Sequence, residues 1–306
     1  MSRNYGLGHR QMDKAGDIAI ERARQAKAIS YETAANYSHR WAQFASWAKE
    51  QGINRMEHIN ASHVIEYGRS LADQVDAETK AASTAQNLVS VVNRVMCMAT
   101  EHWKPVSPTK DCGIAERCHV REDVPKALDR GAYEALLEET KAQVGLRATA
   151  VCELSRELGL RSKEASLLDA RSAFKQAQEK GVVSVSEGTK GGRYREVPIT
   201  SETQLTALSR AAAAQGEARA VMPSECNWKQ WREGELRQAR EAMGGLHELR
   251  AAYACQRYQT LTGHPAPCAG GQILDKDADR AARLQISAEL GHGRIDVVSQ
   301  YVGGHR

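Results

Sequence analysis

Between residues 104 and 127 the helical spacing that fills the first third of this 306-residue chain stops. Pro105, Pro108, Gly113 and Pro125 punctuate a polar stretch. Proline and glycine at that density mark a connection rather than a continuing element. The break leaves two segments, each long enough to close its own core. The sequence therefore predicts a basic tail over 1–13, a helical domain over 14–105, a linker over 106–126 and a second domain over 127–306.

The first domain reads as a small bundle of four or five helices. Residues 14–28 are Ala-rich and charged. Ser30 can cap a helix that runs to about Glu50, with Trp41, Phe44, Trp47 and Ala48 at helical spacing. Those aromatics are core residues, not a platform for stacking bases. A further helix starts after Asn60 or Ser62, with Val64, Ile65 and Leu71 facing inward. Another covers about 78–103, where Leu88, Val91, Val92 and Val95 recur.

After the break, helices are predicted at about 130–143 and 146–159, the second ending near Gly159. The period then changes. Val182, Val183 and Val185 precede a Gly-rich tip containing Lys190, and Tyr194, Val197 and Ile199 follow, which reads as a β-hairpin. Helices resume near 201–215, 228–243, 246–262, 276–290 and 294–301. The expected class is mainly α, with an N-terminal helical bundle and a mostly helical second domain holding a small antiparallel sheet.

Composition narrows the function classes. Apolar residues make up 42% and charged residues 26%, as in a soluble globular chain. No run approaches the length of a membrane span. The N-terminus is basic without an apolar core, which argues against secretion. The seven cysteines form no regular framework and point to reduced thiols. Cys112 with Cys118 and His119, and His264 with Cys268, fall short of a zinc pattern, so no metal is expected. The net charge of +4 permits DNA binding without requiring it.

The chemistry concentrates in the last sixty residues. His247-Glu248-Leu249-Arg250 puts a histidine and an arginine three residues apart, on one helix face. Apolar neighbours suggest that this helix is partly buried, and a buried guanidinium needs an anion, which its planar fork of donors can bind through two oxygens. His292 follows Leu290-Gly291 at the start of a short helix, where anions are favoured. Tyr301 lies nine residues on. A phenol that loses its proton beside cations can attack a phosphate, and the covalent link conserves the energy of a phosphodiester.

Together these residues resemble the tyrosine recombinase, or phage integrase, superfamily, in particular the integrases of bacterial genomic islands and conjugative elements. The resemblance prompts two further assignments. Arg161 in Glu157-Leu158-Gly159-Leu160-Arg161 matches the family's first arginine, with Glu164 as the supporting acidic residue. Lys190 in the hairpin that ends Val197-Pro198-Ile199 matches its lysine. The motifs cover about 125–306; residues 14–105 match only as a helical bundle of suitable size, like the family's SAM-like core-binding domain.

The resemblance implies a site-specific recombinase that cuts and rejoins DNA through a 3′-phosphotyrosine and integrates or excises a mobile element. Arg161 and Arg250 would hold the scissile phosphate, Lys190 would protonate the leaving 5′ oxygen, and His247 would position the phosphate and help take the tyrosine proton. His292 would add a hydrogen bond, and Tyr301 would attack. No cofactor is implied. The implied partner is duplex DNA at a specific site, bound by a homotetramer across two sites, with a monomer or dimer in the absence of DNA. The implied location is the bacterial cytoplasm, on the nucleoid. Arg3, Arg10, Arg193 and Arg195 are additional candidate DNA contacts. The same residues admit a type IB topoisomerase-like relaxation activity or a non-catalytic DNA-binding protein of this fold.

Two features depart from the family pattern. Arg250 and His292 are 42 residues apart, longer than usual, and the Gly- and Pro-containing segment 263–280 reads as an inserted loop. Five residues follow Tyr301, whereas many members end in a helix that docks on a neighbouring subunit.

Overall fold

A computed structural model describes residues 3–304. The chain forms two compact units, Met1–Arg117 and Cys118–Arg306. The first is built from four helices: α1 (Met12–Gln25), α2 (Tyr31–Glu50), α3 (Ala61–Asp76) and α4 (Ala82–Ala99). Ser30 does cap α2, its hydroxyl accepting from the Thr33 amide at 3.2 Å. Trp41 and Phe44 are fully buried, and Phe44 meets Tyr67 edge to face at 5.2 Å. Gly16 sits against the Trp41 indole, where a Cβ would lie 1.9 Å from its nitrogen, so this helix position has no room for a side chain.

Residues 4–13 are not a loose tail. Asn4 is buried, donating to the His9 carbonyl at 2.9 Å and accepting from the Met56 amide at 2.9 Å, and Leu7 and Met12 join the core. A basic composition masked these three anchors. The Pro/Gly stretch is divided between the units. Val106, Cys112 and Ile114 pack into the first core, whereas the Arg121 amide donates to the Ser299 carbonyl of the second unit at 2.9 Å.

The second unit contains α5 (Arg130–Val144), α6 (Leu146–Leu158), α7 (Ser162–Leu167), α8 (Ala170–Lys180), β1 (Val182–Val185) and β2 (Arg195–Pro198). These are followed by α9 (Glu202–Gln215), α10 (Trp228–Glu233), α11 (Glu235–Ala242), α12 (Leu246–Thr262), α13 (Lys276–Glu289) and α14 (Ser299–Val302). Two helices form its centre. α6 is buried from Ala148 to Leu158, and α12 from Leu249 to Cys255, so neither shows a solvent face over those spans. Gly159 ends α6 in the left-handed conformation, φ +62°, as expected for a glycine cap.

The hairpin is antiparallel, with Val183 opposite Val197 and Val185 opposite Arg195. Alternation puts Val183, Val185, Val197 and also Arg195 on its buried face. The segment expected as one helix over 228–243 is broken into α10 and α11 at Gly234. Helices α7 and α8 occupy a stretch where sequence spacing gave no element. No helix of the described residues is long and apolar enough to cross a membrane.

Candidate active site

A cleft of about 920 Å³ in the second unit gathers all six sequence-predicted catalytic side chains: Arg161, Lys190, His247, Arg250, His292 and Tyr301. Arg193, Arg294 and Gln300 also line it. Its lining includes five Lys or Arg residues and no Asp or Glu. Such a wall attracts an anion and focuses positive potential inward.

Arg250 is the centre of the arrangement. It lies on the first turns of α12 and is 2% exposed. Its two terminal nitrogens donate to the Gly159 carbonyl at the end of α6 and to the Leu290 carbonyl after α13. Its Nε donates to the Tyr301 hydroxyl at 3.3 Å. None of these acceptors is a carboxylate, so the buried cation has no counter-charge in direct contact. Burial lowers its pKa to about 10, which leaves it charged at neutral pH.

Tyr301 is buried on α14. Its hydroxyl stands 3.1 Å from His292 Nε2, and Arg250 Nη2 approaches the same nitrogen at 3.3 Å. A guanidinium can only donate, so that contact requires the lone pair on Nε2 and the hydrogen on Nδ1. The result is a directed chain: Arg250 donates to the phenol oxygen, and the phenol donates to a neutral imidazole. Burial, then the Arg250 and Arg161 charges, depress the His292 pKa to about 3. The His247 ring is 5.0 Å from the Tyr301 ring. Its edge is open to the cleft, yet the protein around it and the Arg250 charge lower its pKa too. Both histidines are therefore neutral at pH 7.

The backbone under Tyr301 is anchored from several directions. Its carbonyl accepts from the buried thiols of Cys255 at 3.4 Å and Cys268 at 3.6 Å. Arg283 donates to the Gly303 carbonyl at 2.9 Å. The Arg121 amide holds Ser299, while the Arg121 guanidinium pairs with Glu248, Nη1 to Oε1 at 3.0 Å. Cys268 belongs to the segment expected as an inserted loop, which contains a short 3-10 turn, Pro267–Ala269, and packs behind the tyrosine.

Arg161 enters from the N-terminus of α7. Glu164, fully buried, accepts from its amide at 2.8 Å and from its guanidinium at 2.8 Å. Burial alone would raise the Glu164 pKa. The Arg195 fork and the Arg161 donors outweigh it and hold the carboxyl at about 2. Lys190 is exposed on the hairpin tip, at the rim of the cleft.

The remaining candidates separate. Arg193 lines the cleft beside Gly293. Arg3 and Arg10 are exposed in the first unit, where Arg3 donates to the Asn54 carbonyl at 3.2 Å. Arg195, expected to face DNA, instead points into the protein and pairs with Glu164, 2.6 Å from Nη2 to Oε2. The reason is the strand period: Arg195 shares a face with buried Val197. Arg294 and Gln300 were missed, because a lone Arg or Gln near a chain end carries no motif.

Comparison with known proteins finds one family profile and a shared fold. A family profile described as an integrase matches residues 115–256, a window holding Arg161, Lys190, His247 and Arg250. No curated protein sequence matches significantly. Several solved structures share the fold. A Tn1549 transposon integrase in complex with circular intermediate DNA has a TM-score of 0.61 and 11% identity over 95% of this chain and 96% of that one. A XerH site-specific recombinase bound to a palindromic difH substrate gives 0.58 and 15% over 96% and 82%. A lambda integrase dimer bound to a COC′ core site gives 0.56 and 17% over 92% and 75%.

Proposed function

We propose that this chain is a tyrosine recombinase, which cuts and rejoins DNA strands at a specific site through a 3′-phosphotyrosine intermediate; the integrase profile over residues 115–256 and the shared fold support the reading. The observation that carries this reading is the Tyr301 hydroxyl held between Arg250 and His292 in a cleft walled by cations.

The steps follow from the side chains. A DNA phosphate enters the cleft and its non-bridging oxygens take donors from Arg161 and Arg250. Those charges stabilise the extra negative charge of the phosphorane. The Tyr301 oxygen attacks phosphorus while its proton passes to a neutral imidazole, with His247 the neighbour that remains beside the ring once phosphate occupies the space near His292. The bond to the 5′ oxygen breaks, and Lys190 delivers a proton to that oxygen. The products are a 3′-phosphotyrosine and a free 5′ hydroxyl. Attack by a 5′ hydroxyl from a partner strand reverses each transfer and joins the strands. Exchange of strands requires copies of the chain on two DNA sites, and the reading places the protein in the cytoplasm with a mobile element as its substrate.

The test is a two-site recombination assay using DNA that flanks the coding sequence as the source of sites. Recombinant junctions from the wild type, and none from Arg161→Ala/Arg250→Ala, support the reading. Normal recombination by the double variant contradicts it. Relaxation of a supercoiled plasmid lacking any site, without recombinants, points to topoisomerase-like activity instead.

A further inference from the structure

Arg195 makes three side-chain hydrogen bonds beside the cleft, yet it does not line the cleft wall. It is 7% exposed. Its Nη1 and Nη2 grip both oxygens of Glu164, at 3.0 and 2.6 Å. Its Nε donates to the Glu289 carbonyl at 2.7 Å. All three nitrogens of one guanidinium thus bond to two different elements, α7 and the end of α13.

Each of those elements carries part of the site. The Glu164 carboxylate that Arg195 grips also accepts from the Arg161 amide and guanidinium, so it fixes the direction in which Arg161 presents its free donors. The Glu289 carbonyl precedes Leu290, whose own carbonyl accepts from Arg250, and then Gly291 and His292. Gly291 takes φ +66° directly over the Arg195 side chain. A Cβ there would sit 3.0 Å from Arg195 Cδ. The turn that delivers His292 therefore rests on the Arg195 stem.

Resting on the recombinase reading above, we propose that Arg195 is a positioning residue, a strut from the hairpin that sets Arg161 through Glu164 and His292 through the Glu289–Gly291 turn. A buried ion pair often contributes little to stability, because desolvating both charges offsets their attraction. Geometry is the better account of this one. A bidentate fork is planar and directional, and a lysine at 195 cannot reproduce it. Without the fork, Glu164 is buried with one guanidinium partner fewer, its protonation becomes easier, and a protonated Glu164 no longer accepts in both directions from Arg161.

The experiment measures single-turnover cleavage of a suicide DNA substrate from pH 5 to pH 8, alongside DNA affinity. Arg195→Gln is expected to cleave about 100-fold more slowly, the scale of a misplaced reacting group, with affinity within about twofold of wild type because Arg195 does not face the cleft. Its rate is expected to rise with pH through an acid limb additional to any that His247 gives the wild type. That acid limb should vanish in Glu164→Gln/Arg195→Gln, which has no carboxyl to titrate. A purely structural role would not produce a limb that depends on Glu164. Should Arg195→Gln fail to fold, Arg195→Lys keeps the charge and is expected to show the same slow cleavage and a weaker limb. Wild-type rate and pH profile in the folded variant overturn the proposal, as does a loss of affinity that accounts for the whole loss of rate. The wild type and Tyr301→Phe serve as controls. If the wild type forms no covalent adduct, the recombinase reading fails; if it does and the Arg195 variants behave as wild type, only this proposal fails.

Discussion

Arg250 donates through Nε to the Tyr301 hydroxyl across 3.3 Å, although 51 residues separate them in sequence. The contact places a buried charge beside the proposed nucleophile, with no carboxylate bonded to that charge. The free site is therefore unbalanced, and an anion should stabilise it.

Sulfate titrated into the protein at constant ionic strength should raise Tm. Occupancy at about 100 times Kd corresponds to about 2.7 kcal/mol. Arg161→Ala, which removes a donor without emptying the core, should weaken the effect. Equal stabilisation of that variant and the wild type, measured by calorimetry against a chloride control, would show that the anion binds elsewhere.

Acid should destabilise the fold in two overlapping windows. His292 has a folded pKa of about 3 against 6.5 for the free side chain, so the unfolded chain binds its proton first. Its contribution is full above about pH 6.5 and declines as pH falls toward about 3. Glu164 is held at about 2 against 4.5, and its contribution is lost as pH falls from 4.5 through about 2. His292→Asn should flatten the dependence of Tm on pH between about 4 and 6.5 and leave the lower window in place. An unchanged slope in that variant contradicts the assignment.

Gly159→Ala should be damaging well beyond its size. The position has φ +62°, and an added Cβ would lie 2.5 Å from the Tyr253 ring. Overpacking of this kind costs about 1–3 kcal/mol, measurable by urea unfolding. The Gly159 carbonyl also accepts from Arg250, so cleavage should slow as well. A variant of wild-type stability and rate contradicts both arguments.

Gly159 and Arg195 show what the sequence makes legible and what it hides. Gly159 was readable as a helix cap, and His247, Arg250, His292 and Tyr301 as parts of one site, because each sits in a short motif with a local rule. Charge composition points Arg195 outward, but strand period governs, and Val197 two residues on marks the buried face. Helices α7 and α8 escaped notice because α7 is six residues long and α8 is largely polar. The Arg121–Glu248 pair spans 127 residues, and nothing local could announce it.

Lys190 should act on the leaving group. Lys190→Ala is expected to slow cleavage by about 10²–10⁴-fold, the usual contribution of a general acid. A substrate with sulfur in place of the 5′ bridging oxygen needs no acid and should restore most of the rate. No rescue, with DNA binding intact, would assign Lys190 a different role.

The most direct measurement is the identity of the residue joined to DNA. A suicide substrate, trapped in denaturant and digested, should yield a DNA-linked peptide containing Tyr301, and Tyr301→Phe should bind the same DNA without forming any adduct. An adduct at another residue, or one that persists in Tyr301→Phe, contradicts the account.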